Sequence, residues 1–330
     1  MVLIISSDND ITTNEVIDWL LHFNVKFFRI NSTTKILVKN ITIKSKEIDF
    51  ELEIFLIDGS VEIIKYSKIT SIWYRRGRLN IWRGTFFDSR INMDKNTTVN
   101  NYLLREQFQV EHFINYMFSK KRHLNSIFDE PNTNKLKNLV LATECGLETP
   151  NTFITSSKKE LFNNKEVIVG KSITKPIKFG NIEIENGAIG AGTVIFDLKQ
   201  EFVADIFFPS LFQEKIEKKW EIRTFYFNRK TYSIAIFSQN NEKTATDFRN
   251  YDTEKPNRIT PFLLPIEIEE KLILFMEKVG LNCGSIDFIY TTENQFLFLE
   301  VNPVGQFNQV SLPANYYLEK KIAKFLIDEE

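Results

Sequence analysis

Two apolar runs near the C-terminus constrain this chain more than any other feature. Gly284-Ser-Ile-Asp-Phe-Ile-Tyr290 and Phe296-Leu-Phe-Leu-Glu-Val-Asn-Pro303 are each about one strand long, each is interrupted by a carboxylate, and a short polar turn separates them. They predict neighbouring antiparallel strands. Alternate residues of a strand share a face, so Glu300 and Asn302 should project together while Leu299 and Val301 enter the core. Asp287 on the adjacent strand can face the same way. An unpaired carboxylate is costly to bury. Two carboxylates and an amide oxygen brought together suit a hard cation such as Mg2+, which prefers oxygen ligands and keeps water and phosphate in the rest of its shell. Alone, the pattern would also fit a solvated sheet face; the residues below favour the metal.

A chain of 330 residues can bury one large core or two to three modest ones, which predicts several lobes. Lys plus Arg (42) nearly cancel Asp plus Glu (43), so neither a nucleic-acid nor a membrane partner is expected. The opening Met-Val-Leu-Ile-Ile has no basic flank and is too short to span a bilayer; it reads as a buried strand, and a cytoplasmic location follows by default. Cys145 and Cys283 lie far apart with no nearby His, and His22, His112 and His123 are scattered, which supports no disulfide or thiolate metal site.

The N-terminal part alternates as α/β folds do. Val2 to Ile5 reads as a strand, Val16, Ile17, Leu20 and Leu21 as one helix face, and Val25 to Ile30 as a second strand, followed by β-type runs at Ile36 to Val38, Phe50 to Ile57 and Ser71 to Tyr74. Residues 86–100 read as a polar loop and Tyr102 to Met117 as a helix. Asn132 can cap a helix that starts around Lys135 and stops at Gly146. Strands are then expected after Pro150, over Glu166 to Lys171, Asn181 to Glu185 and Gly192 to Phe196, the last two joined by a glycine-bearing flap. Two long β-type runs, Trp220 to Asn228 and Lys230 to Ser238, precede a helix over Glu267 to Val279 that Gly280 ends.

Phosphates need cations and backbone donors. Lys135 near a helix start and Lys171 at a strand end are placed to supply charge, and Gly187, Gly190 and Gly192 of the flap would let N–H groups close over phosphate. The flap does not match G-x-G-x-x-G. Leu211-Phe-Gln213-Glu214 reads as a link between lobes whose backbone can pair with an adenine edge, with Glu214 or Glu217 accepting from ribose hydroxyls. Arg223 on a half-buried strand and Arg249 in Asp247-Phe-Arg-Asn can each clamp phosphate or carboxylate, or simply form an ion pair. Arg75 and Arg76 can bind a ligand or pair locally.

In order, Lys135, Lys171, the glycine flap, Gln213-Glu214, Glu221-Ile-Arg223, Asp287 and Glu300-Val-Asn302-Pro303 resemble the ATP-grasp fold. Trp73-Tyr-Arg-Arg76 and Asp247-Phe-Arg249 narrow the resemblance to the peptide-modifying graspetide (microviridin-type) ligases, including the grasp-with-spasm maturases, over nearly the whole chain. The resemblance implies an α/β (α+β) protein with a pre-ATP-grasp domain at 1–122, a central subdomain at 123–208 and a C-terminal subdomain at 209–330, ATP lying between the last two. It implies ATP and Mg2+, two ions, held by Asp287, Glu300 and Asn302, with Lys135 and Lys171 on the phosphates and Arg223 and Arg249 orienting the carboxylate and the acyl phosphate. The expected reaction joins an Asp or Glu side chain of a precursor peptide to a Ser, Thr or Lys side chain as an ester or amide. A leader segment would dock on the middle lobe, and the enzyme would be a homodimer. Val304-Gly305-Gln306 departs from related ligases, which often place a polar residue before the glycine. The alternatives are an ATP-grasp ligase of amino acids or small metabolites, and a nucleotide-binding regulator without turnover.

Overall fold

The computed structural model describes the chain except residues 46, 83, 85–96, 130–132, 164–167, 172–193, 197–203, 240–253 and 329–330; side chains of 162, 168–171 and 194–196 are also outside the description. The chain divides into two compact units, residues 1–130 with 317–330, and residues 131–316.

The first unit opens on β1 (Val2–Ser6), α1 (Ile11–His22) and β2 (Phe27–Asn31), a parallel β-α-β unit. Asp10 starts the helix by accepting from the Thr13 N–H at 2.9 Å. Val16 and Leu20 are fully buried, whereas Leu21, expected on the same face, is 60% exposed. β3 (Lys35–Lys44), β4 (Glu47–Phe55) and β5 (Val61–Lys65) form a meander; β6 (Ser71–Tyr74), β7 (Asn80–Ile81), α2 (Thr97–Phe118) and β8 (Arg122–Leu124) complete this stretch. Residues 97–100, read as the end of a polar loop, are the first turn of α2. One sheet is wholly parallel in the order β2-β1-β6-β8; the other runs β5-β4-β3-β7.

The second unit begins with α3 (Lys135–Glu144), capped by Asn134 and not by Asn132, which lies outside the described residues. β9 (Thr152–Ser157), α4 (Lys158–Asn163), β10 (Ile168–Lys171), β11 (Val194–Phe196) and β12 (Ile206–Glu214) follow, giving an antiparallel sheet in the order β11-β10-β12-β9. β13 (Lys218–Phe227), β14 (Lys230–Phe237), β15 (Arg258–Phe262), α5 (Ile266–Val279), β16 (Cys283–Thr291) and β17 (Phe296–Asn302) build a second antiparallel sheet, β15-β14-β13-β16-β17, before α6 (Asn308–Ala314). Asn228 and Arg229, both at positive φ (47° and 62°), make the tight β13–β14 turn. Gly280 ends α5 at φ 82°, as its position after the periodic run predicts.

The last helix, α7 (Leu318–Ile327), belongs to the first unit. Leu318, Ile322 and Leu326 are buried there, and the Ser71 hydroxyl donates to the Leu326 carbonyl at 2.5 Å. Residues 317–330, which sequence reasoning assigns to the C-terminal subdomain, thus pack with the N-terminal unit. Cys145 and Cys283 are buried thiols. Among the described residues no helix is long and apolar enough to cross a membrane.

Candidate active site

The five-stranded sheet has two chemically different faces. One is covered by α3 and α5, where Ile222, Ile286, Phe288, Phe298 and Val301 meet Leu139, Leu272, Phe275 and Met276 in a single core. The other bears charge. Strand register sets Arg223 of β13 opposite Asp287 of β16, and Asp287 opposite Glu300 of β17, so these side chains form one row across the sheet. Asn302, two residues beyond Glu300, falls opposite Ser285 on the same face.

A bulge sets this arrangement. Phe298 is fully buried in the helix-covered core, and strict alternation from it would carry Glu300 into that core too. Instead the pairing slips between Asp287 opposite Glu300 and Phe288 opposite Phe298, which leaves Leu299 as the extra residue and reverses the face of everything after it. Leu299, expected inside with Val301, is the half-buried bulge residue; Phe298 fills the core in its place.

Carboxylates directly opposite each other repel. Cations on either side offset this: Arg223 Nη1 donates to Asp287 Oδ1 at 2.5 Å, and Lys135 Nζ, from the first residue of α3, lies 2.7 Å from Glu300 Oε2. Arg223 and Asp287 are only 8% and 7% exposed. The buried Nε of Arg223 has no hydrogen-bond partner among the described residues, so this guanidinium retains donor capacity for an anion. Among the described residues no three His, Cys, Asp or Glu side chains gather as a metal cage. Two carboxylates and one amide oxygen on a single face are all hard oxygen donors, a set that fits Mg2+ if phosphate and water supply the rest.

The structure adds two residues that sequence reasoning did not assign. Glu221 and Arg223 share a face two residues apart on β13, and the Glu221 carboxylate is held by the Lys218 ammonium and by the Ser238 hydroxyl, at 3.1 Å for the latter. Glu221 is named in the resemblance without a role, and period-two alternation back from Arg223 sets it on this face. Lys218 arrives on that face through a second register slip, between Lys218 and Trp220, which has no sequence signature. Behind the site, Gly305 packs where an added Cβ would lie 2.3 Å from Ser285, so the chain after β17 needs glycine; Val304 before it is buried.

The segment expected to link the lobes and meet a nucleotide is the end of a strand. Gln213 and Glu214 are not a free link: they end β12, with backbone paired to β10 on one side and to the Asn151–Thr152 segment on the other. The Gln213 amide donates to the Thr152 hydroxyl at 2.9 Å, and the Glu214 carboxylate accepts from the backbone N–H and the side-chain amide of Asn151 at 2.8 and 3.0 Å. Residues 215–217 are the first beyond that ladder; Glu217 is exposed there, its carbonyl accepting from the Thr292 N–H at 3.1 Å. Lys171 ends β10 beside Leu211, its side chain outside the description. Gly187, Gly190, Gly192 and Arg249 lie outside the described residues. In the first unit, Arg75 and Arg76 both face Asp10 at 3.5 Å.

No family model and no curated protein sequence matches the chain. Solved structures do. A RiPP-associated ATP-grasp ligase from Chryseobacterium gregarium, in complex with ADP and a leader and core peptide, superposes with a TM-score of 0.77 at 23% identity, over 99% of this chain and 96% of that one. The macrocyclase MdnC from Microcystis aeruginosa, bound with precursor peptide MdnA, gives 0.71 at 22% identity over 100% of both chains. The ATP-grasp ligase PsnB, complexed with a phosphomimetic minimal precursor, Mg and ADP, gives 0.65 at 15% identity over 99% and 97%. The chain therefore has the ATP-grasp ligase fold from end to end.

Proposed function

We propose that this chain is an Mg-ATP-dependent ligase that crosslinks a ribosomal precursor peptide through its acidic side chains. The observation that supports it most directly is the row Arg223–Asp287–Glu300–Lys135, two opposed carboxylates bracketed by cations, within a fold that superposes on peptide-bound ATP-grasp ligases. Asp287, Glu300 and Asn302 would hold Mg2+, in two ions as the resemblance implies, and the metal would neutralise charge building on the ATP phosphates. Lys135 already lies beside Glu300, so it can pass between that carboxylate and a phosphate oxygen without leaving the site. Arg223, buried and with its Nε open, would orient an incoming carboxylate. Lys171 keeps the phosphate role, Gly187, Gly190 and Gly192 the flap role, and Arg249 the role of orienting the carboxylate and acyl phosphate that the resemblance gives them; Glu217 and the backbone of residues 215–217, beyond the β12 ladder, would meet ribose and base more readily than Gln213 or Glu214.

The chemistry balances without a protein nucleophile. A substrate carboxylate oxygen attacks the γ-phosphorus of ATP, the bond to the bridging oxygen breaks and ADP leaves, giving an acyl phosphate. A Ser or Thr hydroxyl or a Lys amine then attacks the carbonyl carbon, phosphate departs, and the nucleophile's proton is lost. The net change in the peptide is one water per crosslink. A three-part division near 122 and 208, shifted so that β8 and β12 stay whole and with α7 returned to the first part, a leader segment docked on the middle lobe, a homodimer and a cytoplasmic setting complete the proposal.

The test is incubation of the full chain with Mg2+, ATP and a precursor peptide bearing Thr and acidic residues, read by mass spectrometry with fragmentation. ATP-dependent loss of water mapped to an acidic and a hydroxyl or amine side chain is expected. ADP formation with free amino acids and an unchanged peptide mass would favour the small-metabolite ligase instead; nucleotide binding without turnover would favour a regulator.

A further inference from the structure

In an open parallel sheet, ligands bind outside the carboxyl ends of the strands where the strand order reverses, because neighbouring connections leave in opposite directions and open a crevice. The first unit has such a point. Its order β2-β1-β6-β8 runs outward from β1 to β2 on one side and from β6 to β8 on the other, so the reversal lies between β1 and β6. After β6 come Arg75, Arg76 and Gly77; β1 ends on Ser6, and Ser7, Asp8, Asn9 and Asp10 follow. The N–H groups of Arg75 and Arg76 both point to the Ile5 carbonyl, at 2.8 and 3.3 Å, which pins the two arginines at this crevice. Gly77 holds the following turn at φ 89°, and an added Cβ would lie 2.3 Å from the Ser32 hydroxyl.

The charges in the crevice are unequal. Asp10 is 6% exposed, and its Oδ1 is taken by the start of α1, so Oδ2 alone faces two guanidiniums, each through Nε at 3.5 Å. Asp8, the other carboxylate here, accepts from Thr33 at 2.8 Å, and Arg29 is committed to Asn14 and to the Ser7 carbonyl at 2.7 and 2.6 Å. Arg75 is 2% exposed, while the Arg76 side chain is 43% exposed, and its described partner is Asp10 alone. One buried arginine thus neutralises Asp10, and the second, whose side chain is well exposed, carries the planar guanidinium fork that fits a carboxylate.

The geometry points to a carboxylate-binding site at the β1–β6 crevice, and we infer that Arg76 there captures an acidic side chain of the peptide substrate other than the carboxylate being activated. The substrate half of this inference rests on the ligase reading above. The test compares wild type with Arg76→Gln and Arg76→Lys in the full chain, titrating glutarate and inorganic phosphate as probes and measuring KM and kcat for the precursor. Arg76→Gln is expected to abolish the Arg76-dependent part of glutarate binding and to raise KM about tenfold with kcat retained, as loss of a charge-assisted pair should. Replacing the recognised acid by its amide should cost the wild type the same factor and cost Arg76→Gln nothing further. Unchanged KM and glutarate binding, with only a lowered Tm, would make the arginines a staple for Asp10 and overturn the site. Equal Arg76-dependent binding of phosphate would overturn its carboxylate assignment. The glutarate titration needs no turnover, so a wild type that modifies no peptide would sink the ligase reading while leaving the site decided by the probe.

Discussion

Asp287 and Glu300 face each other across two strands, yet their surroundings give them different consequences. The Asp287–Arg223 pair is buried, so Asp287→Ala would leave a guanidinium in the sheet without its carboxylate and should cost about 3–5 kcal/mol. The side chains of Glu300 and Lys135 are 19% and 20% exposed, so Glu300→Gln should change stability by less than about 1 kcal/mol while turnover falls on the order of 10²-fold or more. Urea midpoints and ATP-dependent peptide modification, measured on the same two variants, check this separation; an active Glu300→Gln variant would remove Glu300 from the proposed metal site. A third carboxyl, that of Asp129, offers a pH test. Burial pushes Asp129 up to about 6, against the opposing pull of the Ser126 N–H and of His123. Because its folded value lies above the unfolded one, its contribution is fully present below about 4 and is lost as pH rises through about 6. Asp129→Asn should therefore stabilise the chain by roughly 1–3 kcal/mol at pH 8 and little at pH 4. Equal denaturant midpoints at pH 8 would refute it. The proposed metal-ligand residues stand out in the sequence because acids and an amide interrupt apolar strands; the residues they pair with do not, since Lys135 and Glu300 meet only after folding.

Among the elements, the bulged strand β17 decides the most. Its extra residue turns Glu300 and Asn302 off the helix-covered core, and alternation cannot reveal it, because Leu297, Phe298, Leu299 and Val301 are all apolar. Phe298→Ala should cost about 3–5 kcal/mol, as a fully buried aromatic does, whereas Leu299→Ala at the half-buried bulge should cost clearly less. The reverse order in urea denaturation would argue against the bulge. Other elements announced themselves: Gly280 ends α5, and two long β-type runs mark β13 and β14. Leu211-Phe-Gln-Glu214 ends β12 but reads as a link, because it carries no turn residue and no alternation and its partners on β9 and β10 are distant in the chain.

For the whole molecule, the chain's return is the decisive fact: α7 leaves the second unit's sequence and packs its Leu318, Ile322 and Leu326 into the first. Burial of each such side chain is worth about 1.5–3 kcal/mol, and the sum is a large share of the roughly 5–15 kcal/mol that holds a domain. A chain ending at Tyr316 should thus lose amide-exchange protection in β1, β6 and β8 while β13 and β16 keep theirs; uniform loss in both units, or in neither, would contradict this division. By itself the sequence determined what depends on near neighbours: strand alternation, the glycine stop of α5, the absence of a disulfide framework and the acids that point to a hard cation. Only the tertiary structure decided which cation meets which carboxylate, that Glu214 is held by Asn151, that Arg76 stands at the β1–β6 crevice and that the last helix returns to the first unit. The physical reason is that these contacts join residues remote in sequence, whose pairing is set by strand register, bulges and core packing and not by the composition of either segment.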